Sequence, residues 1–385
     1  MTASLLLTPL RPQERTPIDR PLRVVIAPDS FKGTLDAQEA SHGIAQGWLE
    51  VRPNDQIQEL PQADGGEGTA RLLTEAVPGA RWIEVPHLTG PDSRPVSSGF
   101  GLLPDGTAMV DLASASGIIH MVALDPLGAH TIGLGELLRQ AVYSGARRIV
   151  VGLGGSASTD GGMGALTALG LKAFDASGQL LPLGGGSLTR LDHVSLEDLL
   201  PPPPDGVELL VDVTSPLYGP KGAASVFGPQ KGASPKDIAL LEAGLVRLAE
   251  VLGGQPQTPG AGSAGGTGYG LATGWAARFV PGAPRIAELT GLVEACAQAD
   301  VVILGEGRLD STSFAGKVVD HALGLSESAP WRIIVAGDVV ATPPADSIQT
   351  VSLTRLAGSP QEAMAHADSL IVKAGGVAAQ RVTSS

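Results

Sequence analysis

Five short apolar runs, VVIAP (24–28), IVVGL (149–153), ELLVD (208–212), VVILG (301–305) and IIVAG (333–337), stop at or beside Gly, Pro or Asp, and loops follow them. Runs of this length, rich in β-branched residues, read as buried strands. Segments with helical spacing lie between them. In DAQEASHGIAQGWLE, Asp36 and Glu39 stand at capping-box spacing, and Ala40, Ile44 and Trp48 share one face. LGELLRQAVYSGA, ended by Gly145, and IALLEAGLVRLAEVL also read as helices. This alternation of strand, loop and helix restricts the chain to an α/β fold with a parallel sheet, whose carboxyl-end loops are where such sheets place their ligands.

The pattern changes from about residue 82, where short strand-like runs (RWIEVPHL, TAMVDLAS) are separated by Gly, Pro and Asp. Regular alternation returns near the end. The expected organisation is therefore a disordered tail over 1–20, a discontinuous parallel-sheet domain over 21–85 and 285–385, and an inserted second α/β domain over 86–284.

Net charge is −13 over 385 residues, which repels nucleic acid and anionic membrane on average. No stretch reaches the roughly eighteen uninterrupted apolar residues of a membrane span. The opening MTASLLLTPLRPQ lacks the basic start of a signal peptide. Cys296 is the only cysteine, so no internal disulfide or cysteine-built zinc site is possible, and a cytoplasmic setting fits best. Small anions need local cations instead. Lys32, Lys221, Lys231 and Lys317 each adjoin a glycine, which lets backbone approach a ligand that the lysine can pair with.

Residues 151–170, VGLGGSASTDGGMGALTALG, admit three readings. GLGGSA matches a dinucleotide fingerprint, with Asp175 at about the right distance, but Asp160, Gly161, Gly162 and Gly164 fall where that fingerprint's helix should be running. A plain hinge leaves Ser156, Ser158 and Thr159 unused. The third reading is a phosphoryl-transfer site, in which backbone amides and hydroxyls at a helix start cradle an anion and a carboxylate holds a divalent cation.

Phosphoryl transfer needs anion donors, a metal-holding carboxylate, a cation on the moving group and an acid or base near the acceptor. Candidates stand in Gly-rich loops after strands: Asp29 with Lys32, Asp64 with Glu67, Asp160, Asp212 with Lys221 and Lys231, and Glu306 with Arg308, Asp310 and Lys317. No Walker A motif occurs. A sensor that binds sugar acids without turnover would need the anion pocket but not so many carboxylates.

In order along the chain, APDSFKGTL, ADGGEGT, TGP, GLGGSASTDGG, DVTSPLYGPKGAA, FGPQKGAS, GAGSAGG and GEGRLDSTSFAGK resemble the motifs of the type-1 glycerate kinases of bacteria. The resemblance implies a flavodoxin-like (Rossmann-like) domain interrupted by a second α/β domain, and phosphorylation of D-glycerate by ATP with Mg2+, usually at the 2-hydroxyl. Glycerate 3-kinase activity is the alternative within the family, and self-association stays open. The chain departs from the family at Lys32-Gly33, where Lys-Glu is common, at Asp111, where Glu is common, and at Thr312, where Gln is common.

On this reading ATP phosphates lie along Gly154, Gly155, Ser156, Ala157 and Ser158, with Lys231 among the nucleotide-binding residues. Asp160, or Asp64 with Glu67, holds magnesium. Arg308 suits the glycerate carboxylate because a guanidinium fork meets it in two places. Lys32 is assigned to the transferring phosphoryl group, and Asp212 and Asp310 compete for the role of base.

Overall fold

The computed structural model describes residues 20–31 and 33–383. The expected tail therefore lies outside the described residues, except for Arg20, and so does Lys32. Arg20 bonds Asp300 through both terminal guanidinium nitrogens, at 3.0 and 2.5 Å.

In chain order the strands are β1 (Arg23–Pro28), β2 (Gln56–Glu59), β3 (Arg81–Thr89), β4 (Pro95–Leu102), β5 (Thr107–Asp111), β6 (Arg148–Gly152), β7 (Lys172–Asp175), β8 (Leu191–Ser195), β9 (Val207–Val211), β10 (Arg278–Pro281), β11 (Val301–Leu309), β12 (Trp331–Val339) and β13 (Ile348–Ser352). The chain divides into two compact units. One runs through Glu59 and resumes over Ala295–Asp310 and Ser326–Ser385; the other comprises Leu60–Glu294 and Ser311–Leu325.

The first unit is a parallel sheet in the order β2-β1-β11-β12-β13. Counted within the unit this is 2-1-3-4-5, the doubly wound flavodoxin-like order, whose switch point lies between β1 and β11. Helix Ala37–Val51 starts on the expected capping box: the Asp36 carboxylate accepts the Glu39 amide at 2.8 Å, and Glu39 accepts the Asp36 amide at 3.0 Å. Its buried Ala40, Ile44 and Trp48 join Ile371, Ala374 and Ala378 of helix Ala367–Thr383 in the core. The two helices touch at Gly47, where a Cβ would lie 1.7 Å from the Val372 carbonyl oxygen, so only glycine allows this approach.

The second unit holds a six-stranded sheet in the order β10-β9-β6-β5-β4-β3. β5, β6, β9 and β10 are mutually parallel, and β4 and β3 complete it antiparallel. The apolar runs of β5, β6 and β9 are almost wholly buried, as interior parallel strands must be, whereas β3 at the edge is exposed or half-buried except at Leu88. β7 and β8 form a separate antiparallel pair.

The insertion thus starts at Leu60 rather than 86. β3 pairs with β4, which places it in the second sheet, so ADGGEGT and the helix Thr69–Ala76 belong to that unit as well. The return to the first unit falls at Ala295 rather than 285, and Ser311–Leu325 goes back to the second. No helix among the described residues is long and apolar enough to cross a membrane.

Candidate active site

Register decides where the loops of the second unit gather. Asp111 pairs with Gly152, Gly152 with Leu210, and Val211 with Pro281, so the carboxyl ends of β5, β6, β9 and β10 stand in one row. The segments beginning at Leu112, Leu153, Asp212 and Gly282 therefore leave from the same edge of the sheet, where parallel sheets hold their ligands.

The Asp64–Glu67 loop lies over that edge. The Gly154 amide donates to the Gly65 carbonyl at 3.4 Å. A Cβ on Gly152 would come within 2.6 Å of the same oxygen, and one on Gly154 within 2.7 Å of the Gly66 Cα. The loop is tied from below by Asp111, which is buried and accepts the Ala70 amide on both oxygens, at 3.0 and 3.1 Å.

A second glycine-rich turn locks onto the loop after β6. Ala264, Gly265 and Gly266 are all left-handed, with φ of 51°, 67° and 87°. Gly265 accepts the Gly161 amide at 3.1 Å and packs so closely that a Cβ there would lie 2.0 Å from the Ser158 carbonyl oxygen. Ala264, an L-residue held in the left-handed region, accepts the Ser156 hydroxyl at 3.4 Å. GLGGSASTDGG, ADGGEGT and GAGSAGG, distant in sequence, are thus joined by direct hydrogen bonds or backbone packing at one sheet edge, and FGPQKG joins them through the Lys231 ammonium, which donates to the Ser158 carbonyl.

Asp64 and Asp212 meet at the same edge around Gly282, the first residue of helix Gly282–Thr290. The Gly282 amide donates to Asp212 Oδ1 at 3.1 Å. A Cβ on Gly282 would stand 2.3 Å from the Asp64 carbonyl oxygen and 3.1 Å from Asp212 Oδ2. Asp212 reaches solvent, yet desolvation in this recess raises its carboxyl to about 6; the Asp64 charge adds to the rise, while the Gly282 amide and Lys317 work against it.

The sequence profile of the glycerate kinase family matches residues 24–383. The chain belongs to that family. Glycerate 2-kinase of Escherichia coli (strain K12) is 41% identical over 309 residues, spanning 77% of this chain and 80% of the relative. Glycerate kinase of Bacillus subtilis (strain 168) is 41% identical over 323 residues, spanning 80% and 82%. A crystal structure assigned as glycerate kinase 2 from Salmonella typhimurium LT2 matches with a TM-score of 0.80 at 34% identity, covering 94% of this chain and 98% of that one.

Within this kinase the predicted site residues fall into distinct environments. Gly154 and Gly155 reach solvent, whereas Ser156, Ala157, Ser158 and Asp160 are buried. The Ala157 amide donates to the Ser116 carbonyl at 3.1 Å and the Ser158 amide to the Ser156 hydroxyl at 3.3 Å, so both are engaged inside the protein. Asp160 is 0% exposed. Its oxygens accept the Thr131 amide and hydroxyl at 2.9 and 2.8 Å, the Gly162 and Gly164 amides at 3.1 Å each, and the Ser158 hydroxyl at 3.3 Å. A carboxylate so enclosed frames the loop and has no face turned toward a solvent-borne metal. Lys231 lies beneath the loop, while Lys221 is exposed.

Asp64 is half-buried and Glu67 exposed, so both can meet a cation. Among the described residues no three His, Cys, Asp or Glu groups gather as a metal cage. Magnesium needs only one or two carboxylates beside substrate phosphates.

In the first unit Arg308 and Asp310 stand at the end of β11, with guanidinium Nε 4.0 Å from the Asp310 carboxylate. Beside them the Asp29 amide donates to the Gly305 carbonyl at 2.8 Å, at the β1/β11 switch point.

The dinucleotide reading loses its geometry here. The helix after β6 begins only at Met163, and Asp175 ends β7 in the separate strand pair rather than in the six-stranded sheet. Residues that the sequence did not single out also shape the site: Thr131 and Ser116 bind the loop after β6, and Gly282 admits the Asp64 main chain beside the Asp212 carboxylate. GAGSAGG was visible as a small-residue loop, but nothing in it signalled three consecutive left-handed residues.

Proposed function

We propose that this kinase transfers the γ-phosphoryl group of ATP to the 2-hydroxyl of D-glycerate, giving 2-phosphoglycerate and ADP. The observation that carries the reading is the convergence of glycine-rich loops on one carboxyl edge of parallel strands, with Asp64 and Asp212 at their centre. The 2-position is supported by the Escherichia coli relative, which is a glycerate 2-kinase.

The solvent-reaching Gly154 and Gly155 are the part of the loop suited to phosphate, since glycine lets the backbone approach an anion closely. Asp64 and Glu67 suit a magnesium ion, because the neighbouring Asp64 and Asp212 charges repel each other and a divalent cation relieves that repulsion. Magnesium, when bound, would neutralise phosphate charge.

Asp212 is the base: its carboxyl at about 6 is mostly ionised at neutral pH and still a competent proton acceptor. Asp310 stands beside Arg308, the residue suited by its fork to the glycerate carboxylate. Lys32 keeps its proposed role at the transferring phosphoryl group on charge alone.

A coupled assay for ADP release with D-glycerate, with and without magnesium, tests the reaction class, and phosphorus NMR of the product tests the position. Asp212→Asn is expected to lower kcat by about 100-fold or more while glycerate KM stays near the parent value. A 3-phosphoglycerate product would overturn the position, and turnover of a nicotinamide, or glycerate binding without ADP release, would overturn the class.

A further inference from the structure

Lys231 ends the short turn Pro229–Lys231 and is 3% exposed. Its ammonium donates to the Ser158 carbonyl oxygen and stands 3.5 Å from the Ser156 hydroxyl. Burial draws the ammonium down to about 8, and the Asp160 charge opposes that fall. A lysine that binds phosphate presents its tip to the ligand as a point charge. This one turns its tip to the main chain of its own protein.

Asp160 grips the same segment from another side, through the Ser158 hydroxyl and the Gly162 and Gly164 amides, and is itself anchored on Thr131. The two opposite charges are buried with residues 156–158 between their bonds, and only Gly154 and Gly155 of the stretch face solvent. Glycines alone would leave such a loop many shapes. Two buried opposite charges, each hydrogen-bonded to the same segment, select one of them.

We propose that Lys231 and Asp160 are positioning residues that hold the loop after β6 in its anion-accepting shape, and that neither touches the nucleotide. The proposal rests on the reading of Gly154–Gly155 as the phosphate-facing stretch. The ammonium keeps the Ser158 carbonyl turned inward, and the carboxylate gathers the hydroxyl and amides that would otherwise compete for the phosphate.

The test uses the full chain with Lys231→Met, which keeps length and volume without charge. Amide hydrogen exchange is measured without nucleotide, and ATP and ADP affinities are measured with magnesium. Exchange over residues 153–162 is expected to rise about tenfold while the rest of the second unit stays as in the parent. Both affinities should fall together by about tenfold, with glycerate KM unchanged.

Unchanged exchange at 153–162 together with weaker ATP binding would mean a direct phosphate contact and overturn the positioning role. Raised exchange with unaltered ATP and ADP affinity would instead sink the phosphate reading of the loop. A uniform rise across the unit would reduce Lys231 to a general stabiliser and overturn the proposal. If Lys231→Met does not accumulate, Asp160→Asn carries the same expectation at 153–162, and unchanged exchange there overturns it.

Discussion

Asp111, the last residue of β5, receives the main-chain amide of Ala70 on both of its carboxylate oxygens and so fastens the start of helix Thr69–Ala76 to the sheet. Burial raises the Asp111 carboxyl from 3.8 to about 7; the Ala70 and Gly68 amides oppose the rise, and the Glu67 charge adds to it. Between those two values the folded protein keeps a proton that the unfolded chain has released, so this group's contribution to stability falls as pH rises through that window. Asp111→Asn removes the titration. Thermal melts at pH 4.5, 6 and 8 should show the variant gaining on the parent as pH increases; a constant offset would mean that Asp111 does not titrate in this range.

The Asp212 carboxyl should be followed in the metal-free protein by carbon NMR, with a midpoint near 6. Lys317 favours its ionised form, so Lys317→Met should move the midpoint upward, and added magnesium beside Asp64 should move it downward. A midpoint close to 4 in the parent would remove Asp212 as a base tuned by its recess.

Gly282→Ala places a methyl group 2.3 Å from the Asp64 carbonyl oxygen, and that oxygen belongs to backbone that cannot swing aside. Separation of the two carboxylates by about 1 Å should lower kcat by about 100-fold. The accompanying loss of stability should be about 1–3 kcal/mol, as for an overpacked site. Chemical denaturation and steady-state kinetics on the same sample separate the two effects.

Ala264 carries the opposite expectation. Its φ of 51° and ψ of 42° strain an L-residue by about 1–2 kcal/mol. Ala264→Gly relieves that strain, at some entropic cost in the unfolded chain, and should raise Tm by a few degrees. A lower Tm would show that the methyl group is needed in its packing.

At the amino end of the same strands, Glu208 is 3% exposed and binds Arg278 at 2.5 Å and Arg285 at 2.8 Å. Burial pushes its carboxyl up, but these two guanidiniums outweigh burial and hold it below 4.5. The stability it contributes is present above that value and lost as pH falls through the lower folded one. Glu208→Gln removes the charge that Arg278 and Arg285 share, leaves Arg285 with Glu288 at 2.9 Å, and should cost about 1–3 kcal/mol in urea melts at pH 7. Glycerate KM should not change, because the residue sits at the edge away from Asp212.

The parts of this molecule that were legible in the sequence are those set by local chemistry. VVIA, IVVG, VELLV and VVILG became strands because a run of apolar β-branched residues has no helical face to offer, and Asp36 with Glu39 marked a helix start that the structure keeps. The boundary at Leu60 was hidden, since the glycines of ADGGEGT look alike whichever sheet they cover. Asp160 read as a metal ligand because sequence displays a carboxylate without displaying Thr131, 29 positions away, which fills it. Burial separates Lys231 from the exposed Lys221, and burial is a property of the packed core, although both lysines stand beside glycine.

Arg23 and Asp300 share a hydrogen bond across 277 positions, and β1 pairs with β11 in the adjoining register. During synthesis the second unit has nearly all of its chain before β11 leaves the ribosome, whereas β1 must wait, one edge unsatisfied, for a partner made much later. Loop closure over so long a span is expected to make completion of the first sheet the late event of maturation. Truncated nascent chains ending before residue 300 should therefore carry a protease-resistant insert on a protease-sensitive amino-terminal segment.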